Sequence, residues 1–231
     1  MLKSQPSPVG AVTKRLFDIL TATSSLVLLS PLVVLIALGV KLTSSGPVLF
    51  NHARVGLRGT PFGCLKFRTM VEDAEDWLRR DPHLKSVYRE NGFKVPTGAD
   101  PRVTGFGRIL RRSHLDELPQ LINVIKGDLS IVGPRPIMTE ELDYFSGSDR
   151  DRLLSVRPGI FGPWTALGQN RVNYPERAQV ELSYLDRRSA LRDLAILFRH
   201  VPVLLKGQPH ESPLASSKPS RLSNSVTSRS K

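Results

Sequence analysis

The stretch that decides the fold is residues 19–40, ILTATSSLVLLSPLVVLIALGV, in which 22 consecutive residues carry no charge. An unbroken α-helix of this length would be about 33 Å long, enough to cross the hydrocarbon core of a bilayer. However, Ser30-Pro31 lies near its middle, and a proline removes a backbone hydrogen bond and clashes with the preceding turn. Each half of the stretch then covers only about half of the bilayer core.

Basic residues flank this stretch on both sides. Lys14 and Arg15 precede it, and Lys41, Arg54 and Arg58 follow it. A spanning helix usually has its Lys and Arg residues concentrated toward one end. Two basic flanks and a central break therefore predict a re-entrant helix, which enters one leaflet, turns and returns to the same face. A kinked helix that spans the membrane is the alternative.

The composition of the whole chain limits the classes of function. Its 231 residues include 33 Lys and Arg against 21 Asp and Glu, a net charge of +12, and 40% are hydrophobic. The length fits one domain with appendages, and the single cysteine, Cys64, excludes an internal disulfide framework or a multi-cysteine metal site. The charge predicts an anionic partner: nucleic acid, a membrane surface or a phosphate-rich substrate. Because no recognised nucleic-acid module is present, we do not expect nucleic acid.

The rest of the sequence predicts an α+β, mostly helical fold. Strand-like segments at 48–50 and 64–68 are separated by the Gly- and Pro-containing residues typical of a short β-hairpin. Apolar residues at helical spacing follow at 70–80 and 117–126, with a brief strand at 130–132. We therefore expect four parts: a flexible N-terminus (1–13), the re-entrant helix (14–44), a folded body (45–205) and a tail (206–231).

The C-terminal region contains two different segments. Residues 191–205 are apolar with interspersed basic residues, which suits a helix lying in a membrane interface or an ordinary core helix, kinked by Pro202 in either case. Residues 206–231 hold eight Ser, three Pro and five Lys or Arg against one acidic residue. Such a segment buries too little apolar surface to offset the entropy lost on ordering. We therefore predict a disordered tail of net charge +4.

The densest group of chemically capable residues is 111–120, RRSHLDELPQ. Asp116 is placed to cap the helix that follows, and the helix N-terminus would keep its carboxylate ionised. An ionised carboxylate near arginines that hold phosphates can attack phosphorus, and the adjacent Glu117 can bind Mg²⁺. The alternative is that Asp116-Glu117 is an ordinary helix start signal without chemistry.

Two further segments carry cations in a defined setting. Arg135 lies between Pro134 and Pro136, whose rigidity would present its guanidinium to a phosphate or nucleotide, although a stiff turn with a solvated arginine has the same pattern. Residues 66–68, Lys-Phe-Arg, alternate as in an amphipathic strand. The acid-x-acid sequence at 149–151 resembles a metal site of nucleotide-sugar transferases, but it has no hydrophobic strand before it, so we interpret it as a solvated loop.

Taken together and in this order, these segments resemble the bacterial sugar transferases called monotopic phosphoglycosyl transferases, and among them the compact enzymes that initiate exopolysaccharide synthesis. The resemblance covers about residues 12–205. The blocks that carry it are 14–18 (KRLFD), 66–70 (KFRTM), 100–104 (DPRVT), 115–120 (LDELPQ), 127–136 (GDLSIVGPRP) and 157–159 (RPG).

The resemblance implies a reaction and a location. Sugar-1-phosphate would pass from a UDP-sugar to polyprenyl (undecaprenyl) phosphate with release of UMP, and the body 45–205 would be the catalytic domain. The enzyme would be monotopic, on the cytoplasmic face of the bacterial inner membrane. Its further partners would be anionic membrane lipid and either downstream glycosyltransferases or a second copy of the chain.

The resemblance also assigns roles to residues. Asp116 would be the nucleophile that holds a covalent phospho-sugar, and Glu117 would bind Mg²⁺. Contacts to substrate phosphates and nucleotide would come from Arg111, Pro134, Arg135 and Pro136, with Lys66 and Arg68 as further candidates.

The chain departs from the family pattern at two places. His114 stands where the family usually has Ser, and its charge is expected to alter the pH dependence near Asp116. Residues 160–169, IFGPWTALGQ, replace the usual Leu-Thr-Gly-Leu-Trp-Gln-Val-Ser-Gly-Arg. This second departure leaves open which sugar is used. It also leaves an alternative function, in which a catalytically weak member serves as a membrane-bound assembly partner.

Overall fold

A computed structural model describes residues 8–90, 95–167 and 172–206. Within these residues the fold is α+β and mostly helical, as predicted. The helices are α1 Pro8–Leu28, α2 Ser30–Thr43, α3 Ala74–Arg80, α4 Pro82–Glu90, α5 Gly105–Ser113, α6 Gln120–Lys126, α7 Gly147–Leu154, α8 Pro163–Ala166, α9 Glu176–Asp186 and α10 Ala190–Lys206. The strands are β1 Leu49–Val55, β2 Pro61–Phe67, β3 Ser130–Val132 and β4 Gly159–Phe161, with 3-10 turns at Leu57–Gly59, Leu115–Glu117 and Thr139–Tyr144.

The uncharged stretch forms two helices that meet at a sharp bend. Only Leu29 separates α1 from α2, and the two helix axes differ in direction by 65°. Pro31 lies in the first turn of α2, where a missing N–H is tolerated. In an unbroken helix the Val27 carbonyl would accept a hydrogen bond from the backbone N–H of residue 31, which proline lacks. The Ser30 hydroxyl donates to this carbonyl instead, at 2.8 Å. The predicted interruption is therefore present at this point.

The length and polarity of these helices bear on the membrane prediction. Among the described residues, no single helix is long and apolar enough to cross a bilayer, whereas α1 and α2 meet that requirement when taken together. Helical structure begins at Pro8, before the predicted boundary at residue 14, and residues 1–7 lie outside the described part of the chain. The predicted disordered tail also lies outside it, apart from Lys206 at the end of α10.

Two small sheets support the body. The predicted hairpin is confirmed and is longer than expected, because β1 and β2 pair antiparallel from Leu49–Phe67 to Val55–Pro61. The predicted strand β3 pairs in parallel with β4, which is only three residues long and was not predicted. A Cβ atom on Gly159 would lie 2.1 Å from the Gly133 nitrogen, so the close contact between these two segments requires glycine at 159.

Three predicted elements are wrong in detail. The helix expected at 70–80 begins only at Ala74, because Met70 pairs with Val103 in a β-bridge. The helix expected at 117–126 begins at Gln120, after a 3-10 turn. The segment 149–151, interpreted as a solvated loop, lies within α7.

A buried carboxylate joins α1 to the body. Asp18 is 2% exposed and accepts hydrogen bonds from the Ser130 hydroxyl at 2.8 Å and from the Ile131 backbone N–H at 3.1 Å. The same helix contributes Ala22 to the main hydrophobic core, whose other buried members include Leu121 and Val124 of α6, Ile131 and Val132 of β3, and Ile196 of α10. The N-terminal helix is therefore part of the body's core.

Two cations beside Asp18 extend this attachment. Arg15 donates to the carbonyls of Val124 at 2.7 Å and Ile125 at 3.1 Å, both in the last turn of α6. A cation at this position also offsets the partial negative charge of the helix C-terminus. Lys14 forms an ion pair with Asp193 of α10 at 2.7 Å. The block 14–18 thus connects α1 to α6, β3 and α10.

The C-terminal helix has features of both predicted interpretations. Ile196 and His200 are buried, as in a core helix. Leu191, Leu194, Phe198 and Val201 are exposed, as in a helix at an interface. One side of the helix therefore belongs to the core, and the placement of its exposed side in a membrane interface stays a prediction.

We predict that Asp18→Ala lowers the free energy of unfolding by about 3 kcal/mol, because it leaves two buried donors of β3 without their charged acceptor. Thermal unfolding of the detergent-solubilised protein measures this change. Asp151→Ala, at an exposed position of α7, is the matched control and should leave the unfolding temperature unchanged. Equal unfolding temperatures for the two variants would contradict the role given to Asp18.

Candidate active site

Asp116 and Glu117 lie in the 3-10 turn between α5 and α6. His114 follows the last residue of α5 and adopts the left-handed conformation, with φ of 58°. The 3-10 turn Leu115–Glu117 comes next, and α6 begins after it. The prediction that Asp116 caps the following helix is wrong, because Pro119 occupies the cap position of α6. Asp116 is instead 8% exposed in the turn itself, without the stabilisation of a capping hydrogen bond to α6.

The surroundings of Asp116 favour its neutral form more than water does. Burial raises the pKa of Asp116 to about 6, although the positive charge of Lys66 opposes the change. The neighbouring Glu117 carboxylate raises the pKa further, and the Arg111 guanidinium lowers it. At neutral pH the carboxylate is still mostly ionised, and it is destabilised relative to an exposed one.

Glu117 has the opposite character although it is the next residue. Burial alone would raise its pKa, but the Lys66 and Arg135 cations outweigh burial and lower the pKa to about 2. The Lys66 Nζ donates to Glu117 Oε1 at 2.6 Å. Adjacent carboxylates whose pKa values are moved apart commonly have different chemical roles. In this pair the ionised form of Asp116 is destabilised and that of Glu117 is stabilised.

The structure brings three of the predicted cations to this pair from three different elements. Lys66 comes from β2 and bonds Glu117 directly. Arg111 comes from the last turn of α5, and its charge lowers the pKa of Asp116. Arg135 comes from the loop after β3, and its charge lowers the pKa of Glu117. This is an arrangement that can hold the phosphates of a substrate beside a carboxylate nucleophile.

The Pro134-Arg135-Pro136 segment is held on both sides. Pro134 and Pro136 are buried, and the Pro134 carbonyl accepts from the Gly159 N–H at 2.8 Å. The Arg135 backbone N–H donates to Glu181 Oε2 at 3.2 Å, and its guanidinium lies 5.4 Å from the centre of the Trp164 ring. The segment is therefore a fixed loop and not a solvated turn.

Arg68 is bound to the segment that follows α2. Its guanidinium donates to the Ser44 carbonyl at 2.8 Å, to the Ser44 hydroxyl at 3.0 Å and to the Pro47 carbonyl. The Arg68 N–H donates to the Val48 carbonyl at 2.9 Å, so the hydrogen bonding between the two strands continues one residue beyond β2. These contacts connect the end of β2 to the end of α2, and the role of Arg68 as a substrate contact stays a prediction.

Sequence reasoning missed a buried group of charged and aromatic residues behind Arg135. At its centre, Glu141 accepts from Arg177 at 2.9 Å, Tyr174 at 3.1 Å and Arg54 at 3.3 Å. It also accepts from the Met138 N–H at 2.7 Å. These residues come from distant parts of the chain, and no local pattern in the sequence marks them as a group.

Arg177 and Glu181 complete that group. The Arg177 guanidinium lies 4.1 Å from the Trp164 ring centre and 4.7 Å from that of Tyr174, within the range of cation–π attraction. Glu181, fully buried one turn further along α9, has its pKa raised to about 7 by burial, against the effect of Arg177.

The divergent segment 160–169 contributes to this region. Trp164 and Thr165 are buried in α8, and the Thr165 hydroxyl lies 2.7 Å from Nε2 of the buried His200. Residues 168 and 169 lie outside the described part of the chain. Two of the residues that differ from the family pattern, Pro163 and Thr165, are thus built into a helix that packs on α9 and α10.

The carboxylate pair is also the place where a divalent cation could bind. Within the described ranges, no three or more His, Cys, Asp or Glu residues are grouped as a metal site. Mg²⁺ is commonly bound by only one or two carboxylates, with substrate phosphates and water completing its coordination. The Lys66 bond occupies Oε1 of Glu117, so Oε2 is the oxygen able to contact a cation. The residues fit a Mg²⁺ that arrives together with a phosphate substrate.

Comparison with known proteins gives a consistent result. The family described as bacterial sugar transferase matches residues 9–207. The exopolysaccharide production protein ExoY of Sinorhizobium fredii is 40% identical over 201 residues, which cover 85% of this chain and 87% of that protein.

Two relatives with more specific names are similar over the same part of the chain. The undecaprenyl-phosphate galactose phosphotransferase of Salmonella typhimurium is 41% identical over 198 residues, covering 84% of this chain and 40% of its own length. The UDP-glucose:undecaprenyl-phosphate glucose-1-phosphate transferase of Caulobacter vibrioides is 39% identical over 211 residues, covering 87% of this chain and 73% of its own length. With its fold, its carboxylate pair and these matches, this chain belongs to the bacterial sugar transferase family.

Proposed function

We propose that this protein transfers sugar-1-phosphate from a UDP-sugar to undecaprenyl phosphate and releases UMP, as the first membrane step of exopolysaccharide or glycoconjugate synthesis. The names of the relatives from S. typhimurium and C. vibrioides support this substrate pair. The observation that carries the proposal is the buried Asp116 carboxylate, which lies beside Glu117 and within the field of Lys66 and Arg111.

The first step is attack by an Asp116 carboxylate oxygen on the β-phosphorus of the UDP-sugar. A new bond forms between this oxygen and phosphorus, and the bond from the β-phosphorus to the oxygen that bridges the two phosphates breaks. UMP leaves with the bridging oxygen, and the sugar-1-phosphate remains as an acyl phosphate on Asp116. The destabilised carboxylate is a better nucleophile than an exposed one because it has lost much of its hydration.

The second step regenerates the enzyme. A phosphate oxygen of undecaprenyl phosphate attacks the phosphorus of the adduct, and the bond to Asp116 breaks. One phosphate anhydride has then been exchanged for another, so the overall reaction needs neither water nor an external energy source. Arg111, Arg135 and Lys66 stabilise the negative charge that gathers when the phosphates and the carboxylates approach one another.

We also propose Mg²⁺ as the cofactor, with Glu117 as its protein ligand. When bound, Mg²⁺ supplies positive charge that stabilises the phosphate oxygens during transfer. The low pKa of Glu117 suits this role because the ligand is ionised at every pH at which the enzyme would work.

The proposed location is the cytoplasmic face of the inner membrane, with α1 and α2 inserted as a re-entrant pair. Exposed apolar side chains on these helices support the insertion, and the exposed apolar residues of α10 would lie in the interface. On α1 and α2 these side chains include Leu20, Val27, Leu28, Leu35, Leu38 and Leu42. The site would then lie at the surface where the phosphate of the lipid is found.

The direct test uses detergent-solubilised protein with Mg²⁺, undecaprenyl phosphate and a panel of UDP-sugars, and measures UMP. We expect release of UMP with at least one sugar. Absence of UMP with every sugar would favour the alternative of a weakly active assembly partner. The intact Asp116-Glu117 pair argues against that alternative.

Asp116→Asn should abolish both UMP release and the phospho-sugar adduct seen by intact-mass analysis, because an amide is not a nucleophile toward phosphorus. The folded-state pKa of Asp116 lies above the ordinary value of 3.8, so its ionised form destabilises the fold at neutral pH. The variant should therefore unfold at the same temperature as the wild type or higher. Asp151→Asn is the control, and an adduct that survives Asp116→Asn would refute the assignment.

The first half-reaction should depend on pH through Asp116. Without lipid acceptor, the single-turnover rate of UMP formation should be constant above pH 7 and fall about tenfold per pH unit well below pH 6, as the carboxylate becomes protonated. Leaving out the lipid removes the titration of its phosphate monoester from the profile. A rate that stays constant down to pH 5 would mean that Asp116 is not the group whose ionisation limits the reaction.

A re-entrant helix pair places both ends of the chain on one side of the membrane. Tags at residue 5 and at the C-terminus should therefore react with an impermeant reagent from the same side of oriented inverted vesicles. Labelling of the two tags from opposite sides would show that residues 19–40 span the bilayer.

A further inference from the structure

Thr69 has no role in the reaction proposed above, but it contacts Arg111, one of the cations proposed to bind the substrate phosphates. It lies two residues after the end of β2 and is 6% exposed. Its hydroxyl oxygen accepts a hydrogen bond from Nε of Arg111 at 2.9 Å. The two residues are 42 positions apart, so the contact depends on the fold and not on the local chain.

The backbone of Thr69 is fixed against the start of α5. Its carbonyl accepts from the Thr104 N–H at 3.0 Å, and Thr104 caps α5 by accepting from the Gly107 N–H at 2.9 Å. A Cβ atom on Gly107 would lie 2.1 Å from the Thr69 carbonyl oxygen, so glycine is required for this contact. Arg111 is four residues after Gly107 and therefore on the same face of α5.

The other neighbour of Thr69 fixes it to the end of α2. The Arg68 N–H donates to the Val48 carbonyl at 2.9 Å, and the Arg68 guanidinium bonds Ser44 and Pro47. Thr69 is thus fixed from both directions by contacts that do not involve Arg111. It is a fixed point to which the Arg111 side chain is bonded.

A bond to Nε has a particular effect on an arginine. It restricts the plane of the guanidinium and uses neither terminal nitrogen, and the terminal pair is one of the edges through which a guanidinium binds a phosphate in bidentate fashion. Arg111 is close enough to Asp116 for its charge to act on that carboxylate. An orienting contact at Nε is therefore placed where it would aim the terminal nitrogens at a phosphate beside the nucleophile.

We propose that Thr69 is a positioning residue for the transfer reaction: its hydroxyl fixes the plane of the Arg111 guanidinium so that the terminal nitrogens face the β-phosphate of the UDP-sugar. The inference rests on the function proposed above. The branched Cβ of threonine leaves few χ1 rotamers, which helps to hold the hydroxyl in place.

Thr69→Val retains the shape of the side chain and removes the acceptor. We expect kcat/KM for UMP release to fall roughly 10- to 100-fold, the range for loss of a hydrogen bond to a charged group. Thr69→Ser restores the acceptor and should remain within about threefold of the wild type, since a hydroxyl is again present. Thr60→Val, at an exposed position of the hairpin turn, is the matched control and should have no effect.

The decisive arm repeats Thr69→Val in an Arg111→Lys background. A lysine ammonium has no planar group to orient, so the threonine substitution should change kcat/KM by less than about twofold there. If Thr69 only supported the fold, its substitution would cost the same factor in both backgrounds, and that result would overturn the proposal. Unchanged activity of Thr69→Val in the wild-type background would also overturn it.

A measurement without turnover separates this inference from the proposed function. The Nε–H signal of Arg111, assigned by its loss in Arg111→Lys, should exchange slowly with water in the wild type and Thr69→Ser. It should exchange fast in Thr69→Val. No UMP release by the wild type would refute the proposed function. Fast Nε–H exchange in the wild type would refute the positioning contact whatever the activity.

Discussion

Two carboxylates on adjacent residues repel each other, and in a largely buried turn water does little to reduce that repulsion. The placement of Asp116 and Glu117 therefore depends on cations, and three segments of the body each supply one: Lys66 from the hairpin, Arg111 from α5 and Arg135 from the loop after β3. The direct bond from Lys66 goes to Glu117 alone. Burial raises the pKa of Asp116, whereas this bond helps to lower that of Glu117. The elements that carry these cations can be understood as supports for three positive charges around one turn.

The same principle recurs behind the site. Glu141 and Glu181 are buried carboxylates that accept from backbone N–H groups of the segment between β3 and the Thr139–Tyr144 turn. The Arg177 guanidinium contacts two aromatic rings, and its positive charge offsets the negative charge of these carboxylates. In the N-terminal part, Asp18 accepts from β3 in the same way. Buried carboxylates thus fix backbone segments at several places in this fold, and an apolar substitute could not supply those acceptors.

The sequence allowed prediction of the fold class, the hairpin, the helix break and the residues around Asp116, because each has a local signature: an alternating strand, a proline in an apolar run, or a recognised block. The prediction that Asp116 caps a helix failed because nothing local shows that His114 adopts a left-handed conformation. Strand alternation grouped Arg68 with Lys66, and nothing local indicated that the Arg68 guanidinium bonds Ser44 and Pro47. The hydrogen bonds that join Thr69, Glu141 and Arg177 to other side chains connect positions more than 30 residues apart, and a single sequence contains no record of such pairs.

The attachment of α1 has a consequence for the order of events during synthesis. Arg15 and Asp18 leave the ribosome early, while their partners at 124–131 follow more than 100 residues later and Asp193, the partner of Lys14, later still. During that interval the three charges have no partner in the body. Docking of α1 to the body therefore follows synthesis of the turn that holds Asp116 and Glu117. In the membrane-inserted arrangement proposed above, the bilayer would bury the apolar residues of the helix pair first, and the body would then fold against a helix already in place.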